Sequence, residues 1–119
     1  MNSQSVRNIV GTLLLSSAVA ACATMSQPPS DLLSRAESEI RVADDVGARD
    51  AAPLAYRSAN ENLSAAKKAM EKEEYDDARV YLEKALADAE YAATKARSEQ
   101  AQKASEQVDQ NLEALKKAL

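Results

Sequence analysis

The chain has 119 residues, enough for one domain at most. Its hydrophobic fraction is 45%, yet it contains no Phe, no Trp and no His, and much of the apolar content is Ala with scattered Leu, Val, Ile and four Tyr. That composition excludes a large compact core and favours an elongated helical hairpin or bundle. The formal net charge of −4 (15 basic, 19 acidic residues) comes without a basic patch, which argues against nucleic acid as a partner.

The first residues differ in kind from the rest. Arg7 supplies a short basic region, and residues 9–21 form an apolar run interrupted by Gly11, Thr12, Ser16 and Ser17. Small residues follow, then Cys22. This is the three-part layout of a secretory signal. The run is too short for a membrane span, which needs about 20 apolar residues. Val19-Ala20-Ala21-Cys22 resembles the bacterial lipobox, in which a branched apolar residue and two small ones precede a cysteine. The resemblance implies cleavage after Ala21 and a covalent lipid on Cys22. The departures are slight: Val19 stands where Leu is commonest, and the basic region holds a single Arg. Two or more acyl chains give stable anchoring, so a membrane becomes the first expected partner. Removing residues 1–21 takes away one basic residue, Arg7, and no acidic one, moving the net charge from −4 to −5. Anionic headgroups are then poor partners for the domain itself. Ala23 stands where an Asp would resemble an inner-membrane retention signal. The expected location is therefore the outer membrane, facing the periplasm, or the cell membrane of an organism with a single one.

Residues 22–30 read as the lipidated Cys and a short linker containing Pro28 and Pro29. Seven extended residues reach about 25 Å at most, which keeps the domain close to its anchor. Ser30 is expected as the N-cap of a first helix, with Asp31 favouring the positive end of its dipole. Three segments then share one spacing: Leu33-Ala36-Ile40-Ala43, Tyr56-Ala59-Leu63-Ala66 and Tyr75-Ala78-Leu82-Ala85. Steps of three and four put each set on one helix face. Alternating large and small residues lets such faces interdigitate.

The spacing predicts an all-α fold, an elongated hairpin or three-helix arrangement over residues 31–119, with helices at about 31–46, 53–71 and 74–118. Gly47 is expected to cap the first helix in the left-handed conformation, residues 48–52 to form a loop, and Pro53 to sit in the first turn of the second helix. No Gly or Pro occurs after Pro53, so one continuous helix from Pro53 to Leu119 is an alternative. Against it, the stripe steps by five from Met70 to Tyr75 across the charged Lys72-Glu73-Glu74, which predicts a tight turn. The third helix should be about 65 Å long at 1.5 Å per residue. Pairs such as Glu37/Arg41, Glu99/Lys103 and Glu113/Lys117 are expected to support exposed faces.

The segment from Ala36 to about Leu112 resembles the bacterial family known as domain of unknown function 4398. The features that carry it are the Ala36–Ile40 stretch, the Gly47–Pro53 connection, Leu63-x-x-Ala66 and Tyr75-Asp76-Asp77-Ala78-Arg79. The resemblance implies an envelope location and no known enzymatic role. Some members continue into an OmpA-type peptidoglycan-binding domain. None follows the helices in this sequence, so binding by that route is not expected. Tyr75 to Leu86 also looks like the second helix of a tetratricopeptide repeat, but an array needs about three repeats and at most one is present here.

Little in the chain could carry chemistry. Without His there is neither the commonest general base nor the commonest metal ligand, and Ser and Thr lack a group to activate them. The densest carboxylates, Glu71, Glu73, Glu74, Asp76 and Asp77, lack the fixed offsets and Gly turn of a calcium loop and read as a solvated turn. The tyrosines Tyr56, Tyr75, Tyr81 and Tyr91 read as packing bulk that the Ala-rich seam lacks. The chain is therefore expected to be no enzyme and to use no cofactor, metal or small-molecule substrate, Cys22 carrying covalent lipid alone.

A second stripe in the third helix runs through Ala101, Ala104, Val108, Leu112, Leu115 and Leu119. The first two helices can cover only about half of the third, leaving Val108, Leu112, Leu115 and Leu119 as a candidate partner-contact stripe. The expected role is a membrane-anchored, non-catalytic helical interaction or scaffold module. The alternative is a self-associating coiled coil that spaces the membrane from the cell wall, as the major outer-membrane lipoprotein does. In that protein family the wall-linking Lys is C-terminal, whereas this chain ends Lys116-Lys117-Ala118-Leu119.

Overall fold

The computed structural model describes residues 26–119, of which 88% are helical, with no strand among them. The expected leader 1–21, with the cleavage residues Val19, Ala20 and Ala21, and Cys22 all lie outside the described residues. Four helices follow in order: α1 (Ser30–Asp45), α2 (Ala48–Ala51), α3 (Pro53–Glu71) and α4 (Tyr75–Ala118). α3 and α4 form an antiparallel hairpin, and α1 packs against α4 alongside it. A turn, not one continuous helix, separates α3 from α4.

The three stripes meet along one seam. Ala36, Ala43, Ala59, Ala66, Ala78, Ala85 and Ala89 are fully buried, together with Leu82, the one large side chain buried completely among the described residues. At one level Ala36, Ala66, Leu82 and Ala85 pack with Leu32, Leu33 and Leu63. At the next, Ile40, Ala59 and Ala89 pack with Tyr56 and Leu63. At the far end Ala43, Ala48, Ala52, Ala92, Ala93 and Ala96 close the seam. Methyl side chains across the contact let helix axes reach the short end of the usual 8–10 Å separation.

Both reversals use a left-handed residue. After α1, Gly47 adopts φ +79°, and its N–H donates to the Asp44 carbonyl at 3.0 Å. After α3, Glu73 adopts φ +61°. Its N–H donates to Met70 O at 3.0 Å, and the Glu74 N–H donates to Ala69 O at 2.9 Å. That pair of bonds is a Schellman ending, which normally places Gly where Glu73 stands.

The structure departs from the sequence reading at both ends of α1. Ser30 is the first helical residue, not the cap. Pro29 occupies the cap position, and the Leu33 N–H donates to its carbonyl at 3.0 Å. The Ser30 carbonyl instead accepts from Ser34 Oγ at 3.1 Å. The expected loop 48–52 contains one turn of helix, α2, because burying Ala48 and Ala52 against α4 holds the chain in a compact path. The ion pairs also differ. Glu37 meets Lys67 across the α1–α3 interface at 2.7 Å instead of Arg41, and Glu99 meets Lys95 at 3.4 Å instead of Lys103. The Glu113–Lys117 pair forms at 3.6 Å.

Three expected outcomes follow from these contacts. Glu73→Gly should stabilise the domain by about 0.5–1 kcal/mol, because relief of a left-handed side chain outweighs the added chain entropy. Gly47→Ala should destabilise it by about 1 kcal/mol through conformation alone, since an added Cβ there meets nothing within 4 Å. Equilibrium urea unfolding measures both. Leu82→Ala should cost about 2–5 kcal/mol by leaving a cavity in a seam with no other large side chain at that depth, and thermal melting reads the loss.

Candidate functional site

No charged or polar residue is buried among the described residues, and no three His, Cys, Asp or Glu side chains converge there to hold a metal. The acidic residues at the α3–α4 turn are exposed. One of them, Asp76, accepts from Ser26 Oγ at 2.8 Å. Arg79 of the next turn donates through Nη2 to the Gln27 carbonyl at 2.7 Å. Together they clasp the segment preceding α1 against the first turns of α4, where Pro29 is buried. The described chain therefore enters beside the N-terminus of α4, at the end opposite to Leu119.

Polar contacts elsewhere fix how the helices align. Asp88 on α4 accepts from Ser58 Oγ at 2.6 Å and from Asn62 Nδ2 at 3.2 Å, both on α3. An alanine seam alone would tolerate sliding, whereas these bonds form in only one alignment. At the other reversal Arg49 donates to Asp44 at 3.0 Å and to the Tyr56 hydroxyl at 3.3 Å, and stacks over the Tyr56 ring at 5.3 Å. The hydrogen bond to Tyr56, then the charge of Asp44, raises the pKa of Arg49 above its ordinary value. Tyr56 and Tyr75 are half-buried as packing residues. Tyr81 and Tyr91 are not: they face solvent at 36% and 62% exposure, because both lie on α4 away from the seam.

The last hydrogen bond between α4 and the rest of the bundle is that of Gln100, whose Nε2 donates to the Val46 carbonyl at 2.9 Å and so satisfies a carbonyl at the end of α1. A shallow cleft of about 270 Å³ lies beside it, lined by Val46, Gly47, Asp50, Glu99 and Lys103 among others. Every residue from Ala101 to Leu119 is exposed. α4 thus projects as a single helix for about 27 Å past the bundle, at 1.5 Å per residue. Val108, Leu112, Leu115 and Leu119 lie on it at 56%, 50%, 58% and 100% exposure. The structure therefore brings the four stripe residues onto one face of an unsupported helix. A second apolar surface, missed by the sequence reading, is a cleft of about 210 Å³ where Leu54 and Tyr91 flank Pro53 and Ala55. Its sequence signal was present: neither Leu54 nor Tyr91 falls on the seam spacing.

The family model described as Domain of unknown function (DUF4398) matches residues 31–108. The chain belongs to this family. The match takes in α1, α2, α3 and the bundled part of α4, and ends at Val108, so Leu112, Leu115 and Leu119 lie past it. No curated protein and no solved structure matches the chain. No described helix of this family member is long and apolar enough to cross a membrane.

Because Leu112 and Leu115 are exposed on the projecting helix, beyond the cleft that Lys103 still lines, Leu112→Asp together with Leu115→Asp should leave the unfolding free energy within about 0.5 kcal/mol of the parent. A denaturation midpoint that moved with these changes would mean that the projecting helix packs on the bundle.

Proposed function

We propose that this chain is a lipid-anchored, non-catalytic interaction module of the bacterial cell envelope. It is held through Cys22 at the outer membrane facing the periplasm, and it presents the far end of α4 to a protein partner. The observation that carries the reading is the projecting helix: four large apolar side chains exposed on one face, at the end remote from where the chain enters. Monomeric soluble proteins seldom leave such stripes uncovered, and partners commonly occupy them. The clasp of residues 26–27 by Asp76 and Arg79 supports the orientation, since it sets an anchor at residue 22 near the base and the stripe away from it. The lipobox-like Val19-Ala20-Ala21-Cys22 supports the anchor. The absence of buried titratable groups among the described residues suits a scaffold better than an active site.

A second reading, a self-associating spacer between membrane and cell wall, draws on the same stripe. It differs in needing no other protein.

Mass spectrometry of the native protein should find an N-terminal Cys22 carrying diacylglycerol. Crosslinking in intact cells should capture a protein contact through residues 108–119 that Leu112→Asp with Leu115→Asp abolishes. An unmodified Cys22, or capture indifferent to the double substitution, would overturn the proposal.

A further inference from the structure

The free part of α4 is uncharged over a wider face than its four-residue stripe. Its charged residues from 101 onward are Lys103, Glu106, Asp109, Glu113, Lys116 and Lys117. At 3.6 residues per turn all six fall within an arc of about 140°, leaving about 220° of the circumference without a charged side chain. Two parallel rows occupy that face, and every residue in them is exposed. Val108, Leu112, Leu115 and Leu119 form the large row. Ala104, Gln107, Asn111, Ala114 and Ala118 form a second row of small and amide side chains, also at steps of three and four. The second row lies within about 40° of the direction in which the buried face of α4 points. It leads down to the cleft at Val46 and Gly47, where α1 ends. A seam for one partner helix is a narrow stripe, whereas an uncharged face this wide takes cover from two sides. Lower on α4 the same width is seen in use. There the buried residues, with Leu86 and Asp88 beside them, span about 160°, and α1 and α3 together pack against the helix.

We infer that the tip of α4 docks into the groove between two helices of a different protein, a groove apolar along its floor and bearing a hydrogen-bonding side chain opposite Asn111. This rests on the interaction-module reading above and names what the partner must present. Area favours two helices over one. A half-cylinder about 27 Å long and about 11 Å across has roughly 450 Å² of surface, so a groove lining it buries about 900 Å² in all. That is the size of a weak, reversible contact. One helix along the large row would bury about half as much, far below what holds a specific pair together. Asn111 lies near the middle of the uncharged face, and burying an amide without a partner is costly. A lipid surface has no fixed group to bond it. A second copy of this chain offers one helix at its own tip, and the face between its α1 and α3 is crossed by the Glu37–Lys67 ion pair. Neither matches the width and the absence of charge together.

The test is photocrosslinking of the full-length protein in intact cells, with a benzophenone amino acid placed singly around the tip. Replacing Leu112 or Leu115 samples the large row, Asn111 or Ala114 the second row, and Glu106 or Glu113 the charged side. Both rows should give the same adduct, of one discrete protein mass, and the charged side roughly tenfold less. Asn111→Asp should lower the yield from positions 112, 114 and 115 by roughly tenfold and leave the urea midpoint in place. Adducts from the large row alone, or yields indifferent to Asn111→Asp, would overturn the groove and leave the interaction module standing. A shifted midpoint would place Asn111 against the bundle and overturn it too. Adducts made only of copies of this chain, or only of lipid, would each overturn the different protein as occupant. No adduct from any position would refute both this inference and the reading it rests on.

Discussion

Contact between alanine methyls governs this molecule. Among the described residues thirteen of the fifteen buried hydrophobic ones are Ala, and the helices hold together because those positions fall on one face of each. Alanine loses no side-chain entropy on burial and favours the helix in isolation. Each contact is small, so the seam must be long to accumulate stability, and the shape of the domain follows from that need. The same constraint limits the larger buried side chains among the described residues to Leu82 and Ile40, since added methylenes in a close-packed contact force displacement.

A uniform seam has a weakness: it specifies contact but not alignment. The Ser58–Asp88–Asn62 group supplies the missing specificity between α3 and α4, and the Schellman ending at Glu73 fixes how far the two can slide. Apolar faces thus provide association, while a few directional bonds select one register.

Most of this was legible in the residues. Alanines at 36, 43, 59, 66, 78 and 85 reveal the seam because steps of three and four leave little choice of face. The turn at residues 72–74 shows as a break in that phase. What the sequence hides is set by tertiary geometry. A single turn of helix such as α2 has no period to read. Glu37 pairs with Lys67 of α3 and not with Arg41 of its own helix, a partner that only the packing of α1 on α3 supplies. Tyr81 and Tyr91 face outward because both lie off the buried face of α4, whereas Tyr56 packs against it, and residue type alone does not separate them. The stripe at Val108, Leu112, Leu115 and Leu119 was visible because large apolar residues recur there at steps of three and four.

The clasp of Gln27 by Arg79 has a mechanical consequence. Tension applied through the N-terminal segment reaches the bundle beside the base of α4, the longest element, before it reaches the first turn of α1. The load runs along the helix axes as shear across many methyl contacts at once, instead of peeling α1 away residue by residue.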